Sequence, residues 1–117
     1  MTNTYSLGFP SLVGGTRALW SSMLEPDIRK QLQNLGRNAA DKLRYGISVY
    51  IFEGQMRPAK DLDNYYKPII DTITQTQLLW FDDEQIDDLT VLRLKDTGRE
   101  TTSVTFMICP LNDSHIS

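Results

Sequence analysis

A chain of 117 residues, 40% hydrophobic, has room for one globular domain and no second core, so a single domain over residues 1–117 is expected, with 112–117 as a frayed tail. The net charge of −3 argues against a surface that grips nucleic-acid phosphates all over. Apolar runs reach only four residues and no basic-then-apolar leader opens the chain, so neither a membrane span nor a signal peptide is expected, and the corresponding expectation is a cytoplasmic protein.

In chain order, Tyr5, Leu7 and Phe9 alternate with small or polar residues before Pro10, which predicts a first strand running into a loop at Gly14-Gly15. A helix should follow with Pro26 in its first turn. Its buried face would be Ile28, Leu32, Leu35, Ala39 and Leu43, continuing through the helix-weakening Gly36. Gly46 to Glu53 reads as a central strand, with Ile47, Val49 and Ile51 on one side and Tyr50 and Phe52 on the other. A second helix is predicted from about Asn64 to Leu78, burying Ile69, Ile70 and Ile73, with Pro68 weighing against an earlier start. Ile86 to Lys95 and Glu100 to Ile108 are strand-like, and Asp96-Thr97-Gly98-Arg99 between them predicts an antiparallel hairpin. The fold class is therefore α+β, a small mixed β-sheet with two main helices in the order β-α-β-α-β-β. Cys109, the single cysteine, is expected to be a buried small hydrophobe, and Trp80 and Phe81 are expected in the core.

Charge is segregated along the chain. Between Ile28 and Lys60 seven basic residues face two acidic ones, whereas between Asp61 and Asp88 eight acidic residues face only Lys67. An acidic pocket in a partly basic surface fits that distribution. Glu84, Asp87 and Asp88 are also consistent with a plain solvated face. Asp61 and Asp63, two apart, point to one side of an extended segment, and carboxylate oxygens are what Mg²⁺ and Mn²⁺ prefer. Capping of the second helix by either acid is the competing explanation. The segment lacks the glycine and glutamate of a calcium loop. With one His, His115, and one Cys, zinc is excluded. Lys67, four residues past Asp63, is either a surface ion pair or a cation aimed at a phosphate. Asp71 extends the stripe and either orients Lys67 or is solvated, and Asn64 is a candidate cap or hydrogen-bonding support.

The stretch from Arg57 to Lys95 has a basic, proline-containing lead, then Asp61-Leu62-Asp63-Asn64, Lys67, Asp71, and Trp80-Phe81-Asp82-Asp83-Glu84-Gln85-Ile86. Over this third of the chain the sequence resembles the RusA-type Holliday junction resolvases, and Phe9-Pro10-Ser11 is similar to an early segment of that family. The resemblance implies Asp61, Asp63 and Asp83 as catalytic ligands of Mg²⁺, with Mn²⁺ as a substitute, and Lys67 as the essential lysine. It also implies a homodimer that nicks opposing strands of four-way junction DNA, leaving 3′ hydroxyl and 5′ phosphate ends. Asn64, Asp71 and Asp82 are then candidates for support behind the ligands, and Arg57 and Lys60 for DNA contact. Different expectations are a less selective nuclease of branched DNA, a non-catalytic junction-binding protein, and an interaction subunit whose acidic face meets a basic partner.

Overall fold

The computed structural model describes residues 4–12, 17–55, 63–95 and 97–111. Its elements are β1 (Tyr5–Leu12), α1 (Arg17–Asn34), β2 (Arg44–Phe52), α2 (Asp63–Thr76), a single 3₁₀ turn (Asp83–Gln85), β3 (Ile86–Leu94) and β4 (Thr102–Leu111). The α+β class and element order match the sequence reading. The Gly14-Gly15 loop and the 112–117 tail lie outside the described residues.

The four strands form one mixed sheet in the order β1-β4-β2-β3, in which β4 is antiparallel to β1 and β2, and β3 is parallel to β2. This corrects the expected hairpin, because β2 lies between β3 and β4. The turn chemistry at Gly98 is real, with φ at +75°, but the connection carries the chain across the end of β2. There Gln55 N–H donates to the Arg99 carbonyl and the Thr97 hydroxyl to the Glu53 carbonyl. Skipping one strand needs about 10 Å of lateral travel, which a tight two-residue turn cannot span. The parallel β2–β3 pair requires a crossover, and α2 supplies it.

One face of the sheet is the core. Tyr45, Ile47, Val49 and Ile51 alternate inward from β2 and meet Leu7, Phe9, Val104, Phe106 and Ile108 of its neighbours, under Ile28 and Leu32 of α1 and Tyr65, Ile69 and Ile73 of α2. Phe9 packs edge-on to Phe106 at 6.1 Å, and Tyr45 meets the fully buried Trp80 at 5.5 Å. On the opposite face Tyr50 and Phe52 are half-buried. Cys109 shares that face and is also half-buried, a correction to the expected core position.

Three further boundaries differ from the periodicity. β1 continues through Pro10, which is tolerable because β1 is an edge strand and its register shifts between Phe9 and Leu12. Pro26 lies inside α1, whose start is nine residues earlier; an interior proline costs about 3 kcal/mol, and burial of Ile28 and Leu32 offsets it. α1 ends before the pattern does. Gly36 adopts φ of +85°, Gly36 N–H donates to Gln33 O, and Arg37 N–H donates to Leu32 O. That pair of bonds stops a helix at glycine. Leu35, Ala39 and Leu43 are consequently exposed rather than core. α2 matches the prediction within two residues, and Pro68 is accommodated in its interior. At the edge of the sheet, the Gln31 carboxamide of α1 both accepts from Gly8 N–H and donates to Gly8 O at 3.0 Å, satisfying backbone that β1 would otherwise present outward.

Gly54 closes the end of β2 against the strand connection. A Cβ there would sit 2.4 Å from the Thr101 carbonyl carbon and 2.6 Å from its oxygen, and backbone cannot yield as a flexible side chain does. Gly54→Ala is expected to lower unfolding free energy by about 1–3 kcal/mol. Urea denaturation checks this, and an unchanged midpoint would contradict the close approach.

Candidate active site

α2 carries one side of the site. Asp63 is its first residue, Lys67 lies one turn on and Asp71 one turn beyond, so the stripe covers about 12 Å of helix axis. The side chains of Asp63 and Asn64, and all of Arg57, Lys60 and Asp61, lie outside the described residues. Lys67, Asp71 and Asp83 are brought together, lining a pocket of about 300 Å³ with Tyr66, Ile70, Ile86 and Leu89. A return of the chain that sequence left open is thereby made. α2 ends at Thr76, Leu78 to Trp80 are buried, and the following 3₁₀ turn delivers Asp83 to the α2 face.

Asp83 sits in a field of like charge. Its carboxyl is raised above the usual carboxylate value by a hydrogen bond with Asp82, then by partial desolvation and by the negative charges of Asp82 and Asp71. Asp82 moves the other way, lowered by the Glu84 N–H it accepts and by its bond with Asp83. Asp82 also caps the 3₁₀ turn reciprocally with Gln85. A divalent cation would relieve this repulsion, and the donors available are all hard oxygens. Among the described residues no three His, Cys, Asp or Glu side chains form a metal-sized cluster; Asp83 and Asp71 are the carboxylates the pocket provides.

Three polar networks hold these elements, and none was assigned from sequence. At the start of α2 the Tyr65 hydroxyl donates to the buried Glu53 carboxylate at 2.8 Å, with Arg93 Nε 3.6 Å away. This ties the helix turn that follows Asp63 to the end of β2. At the other end of the site, Arg37 donates to the Leu78, Leu79 and Ala39 carbonyls and to Asp41. Asp41 in turn accepts from the Tyr45 hydroxyl at 2.8 Å. Arg44 forks onto Asp87 and also reaches Glu84. Two of the seven basic residues between Ile28 and Lys60 are thus engaged with the protein's own carboxylates and carbonyls, and Glu84 and Asp87 have specific partners beyond solvation. Trp80 is core as expected, whereas Phe81 is exposed, a correction: it lies where the chain leaves the buried Leu78–Trp80 segment for the exposed turn at Asp82–Glu84.

The family model for Endodeoxyribonuclease RusA matches residues 23–108, a span that contains every candidate site residue. No curated protein matches the chain.

Loss of the Tyr65 hydroxyl would take a hydrogen-bond donor from the buried Glu53 carboxylate. Tyr65→Phe should cost about 1–3 kcal/mol of stability by chemical denaturation; no loss would mean that Glu53 is otherwise satisfied. The Arg44 contact predicts a pH effect. Arg44 holds the Asp87 carboxyl below its usual value, so the stabilisation is complete above the unfolded pKa of about 4 and disappears as pH falls through the lower folded value. The urea midpoint of Asp87→Asn should therefore lie below wild type at neutral pH and converge with it in strong acid. A gap that persists at low pH would contradict the ion-pair origin.

Proposed function

The chain belongs to the endodeoxyribonuclease RusA family, and from that premise we propose that it is a homodimeric, Mg²⁺-dependent nuclease that resolves four-way DNA junctions by paired nicks. The observation that carries the reading is the convergence of Lys67, Asp71 and Asp83 in one pocket beside the start of α2. Asp61, Asp63 and Asp83 would hold the cation, which when bound neutralises phosphoryl charge and makes water a stronger nucleophile. Mn²⁺, another cation suited to carboxylate ligands, would substitute.

The remaining work falls to the chain's own groups. The Lys67 ammonium faces the phosphate and stabilises the charge that grows on its oxygens in the transition state. Asp71, one turn along and in the same pocket, orients that ammonium. Asp82, engaged with Glu84 N–H, keeps the Asp82–Asp83 segment in its extended-to-3₁₀ path. Arg57 and Lys60, immediately before the acidic segment, are placed in sequence to meet the DNA backbone. Two-fold assembly supplies two sites for the two symmetry-related strands of a junction, and the sheet face opposite the core, bearing Tyr50, Phe52, Leu92 and Met107, offers apolar surface for it.

Labelled four-way junction and matched linear duplex, incubated with and without Mg²⁺, test the reading. Cleavage confined to junctions and abolished by EDTA is expected; equal cleavage of duplex would favour a less selective nuclease. Asp63→Asn or Asp83→Asn should remove nearly all cleavage and leave the fold intact. Asp83→Asn should also be more stable than wild type without metal, because it removes a charge held against Asp82 and Asp71. Wild-type cleavage by both variants would refute the ligand assignment. Lys67→Ala should lose single-turnover cleavage and keep Mn²⁺ affinity, and unaltered cleavage would return Lys67 to the role of a surface ion pair.

A further inference from the structure

Gln85 occupies an unusual position for a polar side chain beside a metal site. It is 7% exposed, and both ends of its carboxamide are fully used. Its oxygen accepts from Phe81 N–H at 2.8 Å and Asp82 N–H at 3.2 Å, and its nitrogen donates to the Asp41 carbonyl at 2.9 Å and the Leu43 carbonyl at 2.8 Å. An amide has two donors and two acceptor sites, so no valence is left over. The two halves face different parts of the chain. The acceptor half binds the residues that lead directly into Asp83, and the donor half binds the segment that opens β2.

We propose that Gln85 is a positioning residue for Asp83, fixing that carboxylate relative to β2 so that it meets the Lys67 and Asp71 face of α2 at ligand distance. The inference rests on the metal-dependent reading above. The physical need is clear from the exposure of Asp83 and its neighbours: Asp82, Asp83 and Glu84 are all exposed, so packing does not hold the turn. Hydrogen bonds must hold it instead. The anchor is itself rigid, because Asp41 N–H donates to Leu79 O and Arg37 binds both the Asp41 carboxylate and the Leu79 carbonyl. No similar side chain replicates the function. A glutamate at this position offers acceptors to two carbonyls that need donors, and an aliphatic residue leaves two carbonyls and two N–H groups without partners.

Mn²⁺ binding, followed by the electron paramagnetic resonance of the free ion, tests the proposal independently of catalysis. Supports behind metal ligands typically contribute 10–100-fold in affinity. Gln85→Met is therefore expected to weaken Mn²⁺ binding by about tenfold or more, with metal-free junction affinity and near-ultraviolet circular dichroism unchanged. Gln31→Met is the control, since it removes a comparable carboxamide tether at the far edge of the sheet and should bind Mn²⁺ as wild type does. If Gln85→Met does not fold, Gln85→Asn, which keeps the amide but shortens its reach, is read by the same criterion. Wild-type Mn²⁺ affinity in the Gln85 variant, or an equal loss in Gln31→Met, overturns the positioning role while leaving the metal site in place. Equal Mn²⁺ binding by wild type and Asp83→Asn overturns the metal reading itself, and the role of Gln85 with it.

Discussion

The guanidinium of Arg37 is the fixed point from which the site is built. It emerges from the glycine-terminated end of α1 and donates to the carbonyls of Leu78 and Leu79 and to Asp41, joining the approach to β2 to the chain leaving α2. These carbonyls lie beside buried Leu78, Leu79 and Trp80, where an unmatched oxygen would cost about 1–3 kcal/mol. The Arg37 cation is in turn favoured by Asp41. Tyr45, its hydroxyl on Asp41, continues the network into the sheet, and burial pushes its ionisation far above the ordinary range. The same joint meets the turn that carries Asp83, because the Asp41 carbonyl accepts from the Gln85 side chain.

The site itself is organised against its own electrostatics. Asp82 and Asp83 shift one another in opposite directions, the charge of Asp71 adds to the rise at Asp83, and hydrogen bonds to Glu84 N–H and to Gln85 hold the Asp82 end of the turn. Such an arrangement is costly without a counter-charge and favourable with one. The fold separates this from the remaining acidic residues. Arg44 pairs with both Glu84 and Asp87 and offsets one of their two charges, whereas Asp71 and Asp83 line the pocket on the α2 side of the turn.

Much of this was legible from local pattern. The alternation in Ile47, Val49 and Ile51 and the Ile69, Ile70, Ile73 stripe identify the core faces of β2 and α2, and Lys67, Asp71 and Asp83, each singled out in the sequence, line one pocket. Local pattern misplaced what depends on distant partners. The 86–95 and 100–108 segments carry correct strand signals, yet nothing in either says that β2 inserts between them. Apolar spacing through Leu35, Ala39 and Leu43 continued past Gly36 because periodicity does not register a left-handed residue. Gln85 was visible only as a letter in a motif; its role depends on two carbonyls more than forty residues away. Glu53 and Tyr65, twelve apart in sequence, gave no separate sign of meeting.

The most direct test of a divalent-metal site between α2 and the Asp83 turn is the position of Mn²⁺ in crystals of the protein, found by anomalous scattering. The account predicts a peak in the Lys67–Asp71–Asp83 pocket at ordinary coordination distance, about 2.1 Å, from an Asp83 carboxylate oxygen, with Asp61 or Asp63 supplying further oxygens. Mn²⁺ bound elsewhere, or an ordered pocket at saturating Mn²⁺ with no peak beside Asp83, would contradict it.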